Sequence, residues 1–165
     1  MNAEAQAIER VLQRELETVR AEVLAYPEES QLWVLPAGCA NSGGTLALHV
    51  CGNLQHFVGA ALGGTGYVRD RAREFAVRGL SRAELLAELD ATRDAVRRGL
   101  EAVDADGLAA PYRSKFAEFQ LPTRVVLIRL VAHLTYHLGQ IDIHRRLATG
   151  NTKAIEAPPI SLLAG

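Results

Sequence analysis

The sequence predicts an all-α fold, an antiparallel four-helix bundle with long connections. Three observations carry that prediction. Four segments repeat apolar residues at the three-and-four spacing of one helix face. Helix-opening residues stand where those patterns begin, at Asn41 or Ser42 and at Ser81. Strand signals are weak throughout, so the helices have only one another to pack against.

The first helix is expected over about residues 3–25. Ile8, Val11, Leu12, Glu15, Val19 and Val23 trace its face, mostly apolar. Pro27 ends it by disfavouring helix at the residue before. Residues 26–41 read as a long connection that holds the only tryptophan, Trp33, and connections of this length in small domains are often functional. The second helix runs through "LALHVCGNLQHFVGAAL" to Gly63 and Gly64, residues suited to a helix stop. An arginine-rich crossing, "GYVRDRAREFAVRGL", follows. The third helix opens at Ser81, where "SRAE" has the form of a capping box. Its stripe is Leu85, Leu89, Val96, Leu100 and Val103. A second long connection, with a little extended structure, leads to Pro122. The fourth helix then runs to about Ala148, with Gly150 as its stop.

Bulk properties narrow the function classes. The 165 residues suit a single domain over 1–165, with a core at about 4–149 and an irregular tail at 150–165. A net charge of −1 gives no general field toward nucleic acid. Apolar runs break well before the ~18 residues of a membrane span. The charged, amphipathic N-terminus has no signal-peptide core, so a cytoplasmic protein is expected. Cys39 and Cys51 are too few for a disulfide framework and are expected as free thiols.

The chemistry concentrates in "HLTYHLGQIDIHRR". Positions four apart on a helix differ by ~40° around the axis and ~6 Å along it. His133 and His137 can therefore aim at one ion. His144 continues the stripe but lies ~10 Å beyond His137, too far to share that ion. It is expected near the helix end, where a cationic imidazole suits the helix dipole. A third ligand has to come from another helix, and the second helix offers His49 and His56, seven residues apart on one face. Three imidazoles leave a coordination position for water or substrate, the composition of a catalytic-type metal site rather than a closed structural one. The metalloprotease His-Glu-x-x-His and the di-iron Glu-x-x-His motifs are both absent. Paired histidines also occur in cores with no metal, and the spacing alone leaves that reading open.

"LALHVCGNLQHFVGAALGG", "RDRAREF" and "VVLIRLVAHLTYHLGQI" together resemble the DinB-like superfamily over roughly residues 4–149. That superfamily includes bacillithiol S-transferases and the metal-binding domain of mycothiol-dependent maleylpyruvate isomerase. The resemblance implies a four-helix bundle, one divalent metal held by His49, His133 and His137, and a homodimer. It also implies, for some members, a metal-activated low-molecular-weight thiol as co-substrate. Imidazole ligands suit zinc, nickel, copper and iron. Zinc is favoured for its availability and geometric tolerance, with nickel or iron as alternatives.

Several other residues are candidates around this centre. Gln140, three residues after His137, could orient a ligand, or could make an ordinary bond on the helix surface. Asn53, four after His49, could stand behind the ligands or cap a loop. Arg69, Arg71 and Arg73 could hold a substrate carboxylate, or could form a solvated face paired with Asp70 and Glu74. Tyr136 and Cys51 read as packing residues, and Trp33 as an anchor of its loop or a wall of a pocket. Three functions compete: a metal-dependent thiol transferase acting on a small molecule, a non-enzymatic metal-binding stress or sensor protein, and a structural dimer whose histidines only pack.

Overall fold

The computed structural model describes residues 2–114 and 118–164. Four long helices form the body, α1 (Ala3–Leu24), α2 (Gly43–Leu54), α4 (Arg82–Glu101) and α6 (Thr123–Thr149). Local chemistry sets their ends. The Asn2 side chain accepts from the Ala5 N–H at the start of α1. Ser42, and not Asn41, caps α2 through the Thr45 N–H. Ser81 and Glu84 form the foreseen capping box of α4. Gly150, left-handed at φ 71°, closes α6.

Two short helices lie in stretches read as connections: α3 (Arg71–Ala76), capped by Asp70, and α5 (Ala105–Ala109), capped by Asp104. With five or six residues each, they are too short to display an apolar period. α2 also does not run on as plain α-helix. It continues as a π-helical stretch over Gln55–Ala60. The second connection includes an isolated bridge between Pro111 and Pro122. The tail was expected to be irregular, but Ile160–Leu163 form a 3-10 turn that packs on α1.

Each of α1 and α2 packs on both α4 and α6. Cross-helix partners give the directions. Glu4 pairs with Arg124 and Glu22 with Arg145, so α1 and α6 run parallel. Arg93 meets Gln13 and Glu17 while Asp90 meets Arg20, so α1 and α4 are antiparallel. Gly43 lies by His144 and His49 by His133, so α2 and α6 are antiparallel. Gly59 faces Ala95 and Gly63 faces Gly99, so α2 and α4 run parallel. The order is up, down, down, up, and the crossing that carries α3 is what returns the chain to start α4 beside α2. Leu12, Leu16, Val19, Val50, Leu54, Leu89, Val96, Leu127, Leu130 and Leu134 fill the centre. Among the described residues, no helix is long and apolar enough to cross a membrane.

His144 departs from its expected place. It is 1% exposed and not a cation at a helix end. Its Nε2 donates to the Val34 carbonyl at 3.0 Å, which leaves Nδ1 to accept from the Tyr26 hydroxyl at 2.7 Å. Burial pushes its pKa down, outweighing the bond to Val34, so the neutral ring is the stable one. Gly43 makes room for this pair, since a Cβ there would collide with the Tyr26 hydroxyl. Trp33 anchors the same connection from its other side. Its Nε1 donates to the Leu80 carbonyl at 3.0 Å and its ring lies over Gly44.

Candidate metal centre

Antiparallel packing of α2 on α6 brings His49 level with the His133–His137 pair. His133 Nε2 lies 3.4 Å from His49 Nε2 and 3.2 Å from His137 Nε2. The three ligand atoms all fall within 4.8 Å of one another. Tetrahedral zinc, with Zn–N bonds of about 2.0–2.1 Å, sets its ligand nitrogens ~3.4 Å apart. Two of the spacings therefore already match a shared ion, and the three histidines could hold one.

The ring orientations support the same fit. Glu74, on α3, sits 2.9 Å from His49 Nδ1. Arg69 grips its carboxylate with two bonds, Nε to Oε1 at 2.6 Å and Nη2 to Oε2 at 2.8 Å. Burial alone would raise the Glu74 pKa, but the hydrogen bonds from Arg69 and His49 outweigh it and the net shift is downward. An ionised carboxylate only accepts, so His49 Nδ1 carries the proton and its Nε2 lone pair faces the other two rings. His137 is held in a similar way. Its Nδ1 lies 2.7 Å from Gln140 Oε1, and Gln140 Nε2 donates to the Tyr136 hydroxyl at 3.1 Å. Partners of this kind fix the tautomer and direction of metal-binding imidazoles.

His133 has its pKa lowered to about 4, first by burial and then by its two imidazole neighbours. The His49 pKa is lowered too, with burial the largest cause. Neutral rings are the form that binds metal.

Not every candidate joins the centre. His56 lies in the π-helical stretch, its ring edge-on to Phe57 at 4.7 Å, and is not one of the three converging imidazoles. Asn53 is buried, but its Oδ1 makes no hydrogen bond among the described residues. Arg69 serves the site through Glu74. Arg73 is exposed and lines a cleft with Tyr67, Glu74 and Glu88 that holds none of the three imidazoles. Arg71 lies over the Phe75 ring at 5.0 Å. Tyr136 is 64% exposed, so it is not a packing residue. Cys51 is buried as expected, and burial pushes its thiol up to about 12.

From the sequence, Glu74 is only a local partner of the arginines. Its approach to His49 depends on Gly52, where any Cβ would collide with Glu74 Oε1. A lone glycine inside an apolar helix, three residues after a candidate ligand, is the one sequence signal for such a close approach.

A helical bundle with three imidazoles converging from its second and last long helices is the architecture of the DinB-like class. The chain belongs to the mycothiol-S-transferase family, whose model matches residues 7–150. No curated protein and no solved structure matches it.

Proposed function

We propose that the protein is a metal-dependent S-transferase that joins a low-molecular-weight thiol to an electrophilic small molecule. The convergence of His49, His133 and His137 is the observation that carries this reading. The family's name points to mycothiol as the thiol. A divalent ion, zinc before nickel or iron, would be held by these three imidazoles, and when bound it lowers the pKa of an adjacent thiol toward neutrality. His49 presents Nε2 because Glu74 holds its Nδ1 proton, and Arg69 keeps Glu74 ionised. Gln140 holds His137 in the matching direction. Three protein ligands leave a further coordination position for a substrate atom.

The chain is read as one domain over 1–165, and as a homodimer, a reading supported by Ile160 and Leu162 exposed on the tail. Two free thiols are consistent with a reducing compartment, the cytoplasm.

The test is metal content by elemental analysis, then conjugation of mycothiol to monobromobimane followed by fluorescence. Wild type is expected to bind one equivalent of metal and to turn over, and His133→Ala to do neither. Metal binding without turnover across a panel of electrophiles would favour a sensor. Absence of metal after loading would reduce the histidines to packing.

A further inference from the structure

A cleft of about 340 Å³ adjoins the centre through Gln140, whose Oε1 lies 2.7 Å from His137 Nδ1, and Tyr136, whose ring centroid lies 5.2 Å from that of His137. Leu46, Ile143 and the Tyr136 ring give it apolar walls, and Cys39, Asn41 and Gln140 supply polar atoms. None of its lining residues is charged. A charged ligand there would lose water and gain no ion partner, which is costly. The volume is at the small end of the ~300–1,000 Å³ typical of ligand pockets. Size and lining together select a compact, neutral, largely apolar group.

The cleft is built into the fold. One wall is the loop before α2, and that loop is pinned on both sides. Trp33 donates to the Leu80 carbonyl and His144 to the Val34 carbonyl. Gly38, at φ +86°, turns the chain back toward the Ser42 cap. The opposite wall is α6, where Tyr136 and Ile143 are 64% and 53% exposed. Gly139 lies between them, and a Cβ built on it meets nothing within 4 Å. A glycine here leaves the cleft open where a larger side chain would fill it. Gln140 belongs both to the wall and to the bond that orients His137, so the cleft and the metal centre share a residue.

We propose that this cleft seats the electrophile, a compact, uncharged and largely apolar molecule, while the thiol occupies the imidazole side. The proposal rests on the transferase reading above. In conjugation to monobromobimane the thiolate sulfur forms the new S–C bond. The C–Br bond breaks, bromide leaves with the electron pair, and the thiol proton passes to water.

Gly139→Leu tests this, because it fills the cleft at a helical position with open space around it and leaves all three imidazoles in place. Both proteins carry Cys39→Ser so that the probe does not label the wall; Cys51 is buried and unreactive. Gly139→Leu is expected to raise the KM for monobromobimane by about tenfold or more, the scale of a steric block in an apolar pocket. The KM for mycothiol, the metal content and the conjugation of the much smaller iodoacetamide are expected to change little. Binding of non-reactive syn-bimane, followed by fluorescence, gives a readout free of turnover. Saturable binding by the parent and loss in Gly139→Leu supports the cleft even where conjugation is absent, and then the transferase reading fails alone. Equal syn-bimane binding by both proteins, or binding by neither, overturns the proposal. So does an unchanged monobromobimane KM in a variant that still turns over.

Discussion

Replacing Gly52 by alanine adds one methyl group, in the space that the Glu74 carboxylate occupies beside α2. The substitution touches no imidazole. Two effects oppose each other. Alanine in a helix interior is favoured over glycine by roughly 0.5–1 kcal/mol. Forcing a methyl into a filled site costs typically about 1–3 kcal/mol. The displaced Glu74 also gives up its bond to His49, and hydrogen bonds to charged groups contribute about 1.5–3 kcal/mol. The losses outweigh the gain, so the metal-free protein is expected to be destabilised by roughly 1.5–5 kcal/mol. Freed from Glu74, His49 loses its set tautomer, and metal affinity should fall about 10–100-fold. At a metal concentration one hundred times the parent Kd, binding stabilises the parent by ~2.7 kcal/mol and the variant by only ~0.4–1.4 kcal/mol. Thermal unfolding with and without metal, plus a chelator competition, measures both quantities. Gly139→Ala is the control, since the same change in open space keeps only the propensity gain. A Gly52→Ala protein as stable as that control, with unchanged metal affinity, would refute the claim that Glu74 orients His49 through the gap at Gly52.

Three further outcomes are expected. His49→Ala should abolish metal binding and His56→Ala should leave it intact, read by elemental analysis; the reverse result would move the third ligand two turns along α2. Stability of the metal-free protein should fall as pH drops below about 6.5, because the unfolded chain protonates His144 there while the folded state, with its lowered pKa, does not. His49 and His133 act in the same direction, so His144→Gln should make the dependence of Tm on pH between 7.5 and 5 shallower, and an identical dependence would count against the buried neutral ring. Arg145, fully buried, binds Glu22 at 2.5 Å and the carbonyls of Asn151 and Lys153. Arg145→Met strands the Glu22 carboxylate and should cost about 3–5 kcal/mol in urea unfolding; a loss near zero would mean that water replaces the pair.

Features with local causes were legible in the sequence. The caps at Ser42 and Ser81, the stop at Gly150 and the His133–His137 spacing all act within a turn or two of the residue concerned. His49 was a candidate from its position on the second helix, but only a family resemblance chose it over His56, because register against α6 is set by packing along the whole bundle. His144 was misread for the same reason. A histidine near a helix end looks solvated until the loop through Tyr26 and Val34 is known to cover it. Glu74 was hidden among arginines, where charge density suggests a wet surface. The π-helical turn after α2 has no local signal, since Gln55–Ala60 would also suit an ordinary helix.

His49 and His133 are 84 positions apart, while the clamp of Glu74 and Arg69 lies within 25 positions of His49. On a ribosome adding ~5–20 residues per second, roughly 4–17 s separate the synthesis of those two histidines. Through most of that interval, the carboxylate and guanidinium that hold His49 are already made and its ring partners are not. A nascent chain thus carries one imidazole of the three, too few to retain a metal ion against cellular chelators. A metal held by the three imidazoles would therefore be acquired only after His133 and His137 are made and the last helix has closed on α2.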